Sequence, residues 1–190
     1  GGYDIPVPKN NSINKKEPTG GKSVNRPIFQ LDNRLALCAS FVRPGAQLVD
    51  VGTDHAYLPI WLAGKGRILS AIAADVKEGP LRMARENIEK YHAHQVSVRL
   101  SDGLRSISPE EADDVVIAGM GGELIARIVG EAKWLRQEKK RLILQPMSSV
   151  GELRVSLANW GFTVLKENAV WCDRHIYTAM LVGYFPEKAA

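Results

Sequence analysis

Cysteine and histidine are scarce, with two of the first and four of the second in 190 residues. Cys38 and Cys172 stand far apart and match no metal-ligand or redox spacing, so no metal site is expected and zinc ribbons, disulfide scaffolds and CxxC chemistry drop out. Both read as reduced, buried fillers in a cytoplasmic protein. Long apolar runs are missing too. None approaches the ~18 to 20 residues that cross a bilayer, because Gly, Lys, Arg or Asp interrupts each candidate, and the N-terminus holds no signal-peptide core. No membrane partner is expected. A strong charge bias is also absent from most of the chain. Of the net charge of +4, residues 1–30 carry +3 (Lys9, Lys15, Lys16, Lys22 and Arg26 against Asp4 and Glu17), which leaves +1 for residues 31–190. Any nucleic-acid affinity must therefore come from a local patch, the basic tail or a partner.

What is present suits one domain and a tail. Apolar residues make up 45% and charged ones 24%, enough for a real core and against global disorder. Residues 1–30 read as a disordered basic arm, with four of the ten prolines, two Gly pairs and clustered Asn and Lys. Residues 31–190 form the domain. Leu31 to Val42 is apolar at helical spacing and stops at Arg43-Pro44-Gly45. Strands are predicted at 47–51, 70–76, 96–100, 114–118 and 141–145, with helices at 57–63, 78–92, 123–131 and 153–160. Two β-rich runs, 162–170 and 175–185, close the chain around the short turn Cys172–Asp173–Arg174. Apolar strands separated by helices imply a parallel sheet covered on both faces. The expected fold is α/β: a Rossmann-like, doubly wound sheet of five parallel strands plus a C-terminal antiparallel hairpin. The terminal hairpin is the class I methyltransferase variant, which a plain dinucleotide-binding domain lacks.

Four segments bring chemistry to the carboxyl edge of that sheet, where open α/β folds bind ligands. After strand one comes Asp50-Val51-Gly52-Thr53-Asp54-His55-Ala56-Tyr57. One Gly between two carboxylates suits a cationic sulfonium ligand better than a pyrophosphate, which wants backbone N–H groups and no nearby acid. The plain alternative is a strand-to-helix turn with Asp54 as helix cap. Asp75, followed by Val76, ends strand two, where an acid can accept both hydroxyls of a ribose. Asp102-Gly103 follows strand three, able to accept from an adenine amine or simply to turn the chain. Ala118-Gly119-Met120-Gly121-Gly122 follows strand four as a backbone wall beside a reactive methyl, its polar groups free to bond. Strand five ends in Gln145-Pro146, an amide at the same rim.

These strings carry a family resemblance. Residues from about Leu31 to Tyr184 resemble the TrmK family of bacterial tRNA (adenine-22 N1)-methyltransferases, through Arg34-Leu35, Asp50-Val51-Gly52-Thr53-Asp54-His55-Ala56-Tyr57-Leu58-Pro59, Gly79-Pro80, Val98 to Leu104, Ile117-Ala118-Gly119-Met120-Gly121-Gly122 and Leu142 to Pro146. The resemblance implies a class I fold, S-adenosylmethionine as cofactor, and tRNA as partner, methylated at N1 of an adenine in the D-arm region. It departs where Asp75 replaces the usual Glu and where Met147 stands in place of an expected Asn. Family members usually continue into a helical C-terminal module; this chain ends at Ala190.

On that reading, cofactor binding is expected from Asp50, Gly52, Thr53, Asp54, His55, Asp75, Val76, Asp102, Gly103, Ala118, Gly119, Met120 and Gly121. Arg34, Tyr57, Gln145 and Pro146 are expected to hold substrate, and Asp54, His55, Tyr57, Met120 and Gln145 to line the reacting centre. Adenine N1 has a free lone pair and no proton, so direct displacement needs no general base, and catalysis is positioning and exclusion of water. A small-molecule or protein methyltransferase, or a nucleoside-binding domain without RNA activity, is the alternative. His92 and His94 read as solvated, His175 as structural, the run Lys133, Arg136, Lys139, Lys140 and Arg141 as a solvated helix end, and Trp134, Trp160 and Trp171 as packing residues.

Overall fold

The computed structural model describes residues 28–189, so most of the basic arm lies outside the described residues. Seven strands form one sheet in the order β3-β2-β1-β4-β5-β7-β6. The strands β1 (Ala46–Val51), β2 (Ile68–Asp75), β3 (Val96–Leu100), β4 (Asp114–Met120) and β5 (Arg141–Pro146) are parallel. The pair β6 (Phe162–Cys172) and β7 (His175–Tyr184) is antiparallel, and β7 joins the sheet against β5. The chain reverses at Asp173 and Arg174 alone, both with positive φ (47° and 66°), as a two-residue hairpin turn requires.

Alternation along the inner strands builds two cores. Leu48 of β1 and Ile143 of β5 face the layer made by α1 (Asn33–Phe41), α2 (Tyr57–Gly64) and α3 (Glu78–Lys90). Val49 and Val51 of β1, with Leu142 and Leu144 of β5, face α4 (Gly122–Glu131) and α5 (Val150–Asn159). Period-two patterning over strands buried on both faces produces this division. Helix boundaries fall within three residues of those expected, and β3 and β4, between which the sequence predicts no helix, are joined through a 3-10 turn, Pro109–Glu111. Ser108 and Glu111 close that turn as a reciprocal capping box.

Polar contacts hold both ends of α1. Asp32 caps the helix, its Oδ1 accepting from Leu35 N at 2.8 Å. Beyond its other end, Arg43 donates through Nε and Nη2 to Oδ1 of Asp114, a fully buried carboxylate at the start of β4. Lys140 is buried as well, its Nζ donating to the carbonyls of Pro109 and Ala112. It therefore leaves the basic run expected to be solvated: an ammonium so placed is a structural plug. Cys38 and Cys172 are buried, and burial pushes the Cys38 thiol up to about 12, in keeping with a filler. Trp171 corrects its expected packing role. It sits near the hairpin tip, 66% exposed, because the hairpin outruns the body of the sheet.

Candidate active site

Strand order reverses between β1 and β4, so the crevice lies at their carboxyl ends, bounded by Gly52 and Gly119. The β1–α2 loop carries unusual backbone. Asp54 (φ +56°) and Ala56 (φ +59°) are left-handed without being glycine, each costing of order 1 kcal/mol or more. Ala56 is the N-cap of α2 and no side chain caps it, so the plain reading of Asp54 as a cap fails. The loop leaves His55 half-buried, its ring stacked on Tyr57 at 5.3 Å between centroids. His55 Nδ1 is buried without a hydrogen-bond partner, and Nε2 lies 3.6 Å from Asp54 Oδ1. Asn87 of α3, which the sequence did not single out, holds the loop by donating to the His55 carbonyl at 2.8 Å.

Beneath this loop Asp50 is buried. Burial raises its carboxyl from 3.8 to about 7, against the lowering effects of the Thr53 hydrogen bond and of Arg34. Thr53 Oγ1 donates to Asp50 Oδ2 at 2.8 Å. The Thr53 hydroxyl is therefore spent inside the protein rather than offered to a ligand. Arg34, Asp50, Gly52, Asp54, His55 and Tyr57 all face one small cavity of about 70 Å³.

A second cavity, of about 110 Å³, lies on the other side of Gly52 and is lined by Asp75, Val76, Asp102, Gly103 and Met120. Asp75 Oδ1 accepts from Lys77 N at 3.0 Å. Asp102 is more engaged than expected: Arg127 donates to Oδ1 at 3.0 Å and Arg105 to Oδ2 at 2.8 Å. Both arginines also reach Glu131, closing a four-charge ring. The i,i+3 spacing of Asp102 and Arg105 could have signalled half of it; the Arg127 contact spans 25 residues and could not.

The wall between β4 and α4 departs from expectation. Gly119 (φ +79°) sits at a register irregularity between Ala118 and Met120 that re-aims Met120. Its backbone is not free. Gly119 N donates to Gln145 Oε1 at 3.0 Å, Gly122 N to Ser148 O at 2.8 Å, and Met120 O accepts from Met147 N at 2.8 Å. Gln145, expected as an amide at the rim, is fully buried, and its oxygen also accepts from Arg34 Nη1 at 2.9 Å. Its amide oxygen is thus turned inward, onto Arg34 and Gly119, and not toward the rim. Pro146 is likewise buried, in the ladder opposite Met120, and offers no open surface. Among the described residues no cluster of three or more His, Cys, Asp or Glu is placed to hold a metal, and no helix is long and apolar enough to cross a membrane.

This geometry has known counterparts. Residues 31–180 match the family model described as a methyltransferase domain. The Bacillus subtilis tRNA (adenine(22)-N(1))-methyltransferase is 36% identical over 164 residues, which are 85% of this chain and 68% of that protein. The chain belongs to the TrmK family. A Streptococcus pneumoniae protein solved with S-adenosyl-L-methionine superposes with a TM-score of 0.78 at 41% identity, over 82% of this chain and 74% of that one. Mycoplasma capricolum TrmK, solved with S-adenosyl-homocysteine, gives 0.74 at 29% identity over 82% and 70%. This TrmK-family chain thus spans roughly seven tenths of the length of those relatives.

Proposed function

We propose that this protein transfers a methyl group from S-adenosylmethionine to N1 of adenine 22 in the D-arm region of tRNA. The observation that carries the reading is the pair of cavities either side of Gly52, one bounded by Asp75 and Asp102, the other by Asp50, His55 and Tyr57. The residues suit the cofactor. At Gly52 (φ +70°) any side chain would collide with Met120 Cε, so bare backbone faces both cavities. Asp75 at the strand end is the acceptor for ribose hydroxyls, Asp102 for the adenine amine, and the buried Asp50 favours a cationic group. The bound cofactor supplies a methyl on a sulfonium, activated toward attack by a neutral ring nitrogen.

The protein's own residues then position and exclude water. The target base leaves its stack to enter the site. Tyr57, 39% exposed and braced by His55, offers a face on which it stacks. Arg34 is held by Gln145 as a cation at the cavity wall, where it meets the substrate backbone or base. No residue need remove a proton from N1, which carries none. Incubating the protein with labelled S-adenosylmethionine and bulk tRNA, then mapping the modified nucleotide, tests the reading. Label at N1 of adenine 22 supports it, and label confined to protein or small molecules defeats it.

A further inference from the structure

A third cavity, larger than either of the two at Gly52, opens beside them. It measures about 350 Å³, within the size range of small-ligand pockets, and is lined by Phe29, Gln30, Leu31, Leu35, Tyr57 and Tyr91, with Asp32 at its edge. Its floor is aromatic. Phe29 meets Tyr57 edge-on at 5.1 Å and Tyr91 edge-on at 4.9 Å between centroids. Tyr57 and Leu35 belong to this trough and to the Asp50–His55 cavity alike, so the two are continuous on the side assigned to the target base. The trough does not touch Asp75 or Asp102, which places it away from the cofactor's nucleoside end.

The trough is fixed by its surroundings. Ile28 packs against Gly64 at the end of α2, anchoring the segment that carries Phe29, and Asp32 is occupied in capping α1. Lys90 Nζ lies over one face of the Tyr91 ring, 5.3 Å from its centroid, a cation held against the aromatic surface. Aromatic faces beside a cation match what an unstacked nucleotide presents, a π-face joined to a phosphate. Extruding one base from a folded RNA also strips its neighbour of a stacking partner.

We propose that the Phe29–Tyr57–Tyr91 trough is a second base-binding site, which takes the nucleobase adjacent to the methylated adenine while Lys90 meets its phosphate. The proposal rests on the tRNA reading above. It explains how a domain with a net charge near zero over residues 31–190 can hold RNA, through stacking more than through counterion release.

The test uses the full chain and synthetic tRNA carrying 2-aminopurine immediately 5′ or 3′ of the target adenine, with Tyr91→Leu and Phe29→Leu as variants that keep apolar bulk but remove the stacking face. For the unaltered protein, fluorescence at one of the two flanking positions is expected to change on binding. In each variant that change is lost and KM for tRNA rises about tenfold, the scale of one lost stack, while kcat and S-adenosylmethionine affinity hold. A wild-type protein that fails to methylate tRNA defeats the parent reading. Wild-type methylation with unchanged KM and unchanged fluorescence response in both variants overturns the trough alone. Two other results also overturn it: lowered thermal stability with unchanged KM, which makes the trough a packing seam, and loss of self-association with unchanged KM, which makes it a contact between copies.

Discussion

The terminal methyl of Met120 lies where a side chain at Gly52 would have to sit. Two loops from different strands thus share one small volume between the cavities. Gly52→Ala should be costly mainly through a left-handed φ that disfavours Cβ by about 1–2 kcal/mol, with a smaller cost for swinging aside the flexible end of Met120. We expect a lower melting temperature and S-adenosylmethionine affinity reduced tenfold or more. Adding Met120→Ala should restore part of the loss, because it removes the collision and leaves only the backbone strain. Melts and calorimetry on the two single variants and the double variant check this; strict additivity would show that the two residues do not compete for space.

Gln145 is expected to behave as a positioning residue. Gln145→Leu leaves the Gly119 N–H and the Arg34 guanidinium without their shared acceptor, a loss of about 1–3 kcal/mol in stability by denaturant unfolding. Activity on tRNA should fall with it, whereas Gln145→Glu keeps an acceptor for both donors and should retain more activity. Equal activity in the two variants would separate Arg34 placement from function.

Asp50 predicts a pH dependence. Burial lifts its folded carboxyl to about 7 from an ordinary 3.8, so between those values the folded protein keeps a proton that the unfolded chain has released. Stability from this group is complete below about pH 4 and is lost as pH climbs through 7. Asp50→Asn should flatten that slope in unfolding measured from pH 4 to 8. A cation bound beside Asp50 favours its ionised form, so S-adenosylmethionine should bind more tightly as pH rises through 7. Binding below pH 7 should release protons, seen as a calorimetric enthalpy that depends on the buffer.

The reaction should need no general base. His55→Asn and Asp54→Asn are each expected to lower kcat by less than about tenfold, short of the 10²–10⁴ that general-base catalysis supplies. Met120→Ala should cost more than either, since the wall excludes water and orients the methyl. A steep acidic limb in the pH–rate profile, activity falling as pH drops, that disappears with His55→Asn would show that His55 takes a proton in the rate-limiting step.

Much of this was written locally in the chain. Strand and helix order, the terminal hairpin and the placing of Asp75, Asp102 and Gly52 on one edge follow from apolar period, turn residues and short strings that act over a few positions. What was not legible depends on which way a side chain turns at a strand end. The irregularity at Gly119 and the reach of Arg34 across 111 residues bury Gln145, and no local pattern encodes either. Arg127 finds Asp102 because α4 packs beside β3's exit, a tertiary fact. Trp171 looked like core by residue type, yet the hairpin carries it past the layer that would have covered it.

The anchoring of α1 has a consequence for how the site tolerates change. Arg34 grips Gln145 at the carboxyl end of β5, and Arg43 grips Asp114 at the amino end of β4, so one helix is tied to opposite edges of the sheet. The seven helical steps from Arg34 to Phe41 span roughly 10.5 Å at ~1.5 Å each, and the extended Val42 carries the chain on to Arg43, while the four strand steps from Arg141, paired with Asp114, to Gln145 span about 13 Å. Helix and extended exit together act as a gauge block set against the strand. A single residue inserted within the helix, between Arg34 and Phe41, would shift one grip by ~1.5 Å and rotate it by roughly 100°, so one of the two arginines would have to let go. Loops elsewhere can lengthen in evolution or design, but this interval should accept substitutions and refuse insertions.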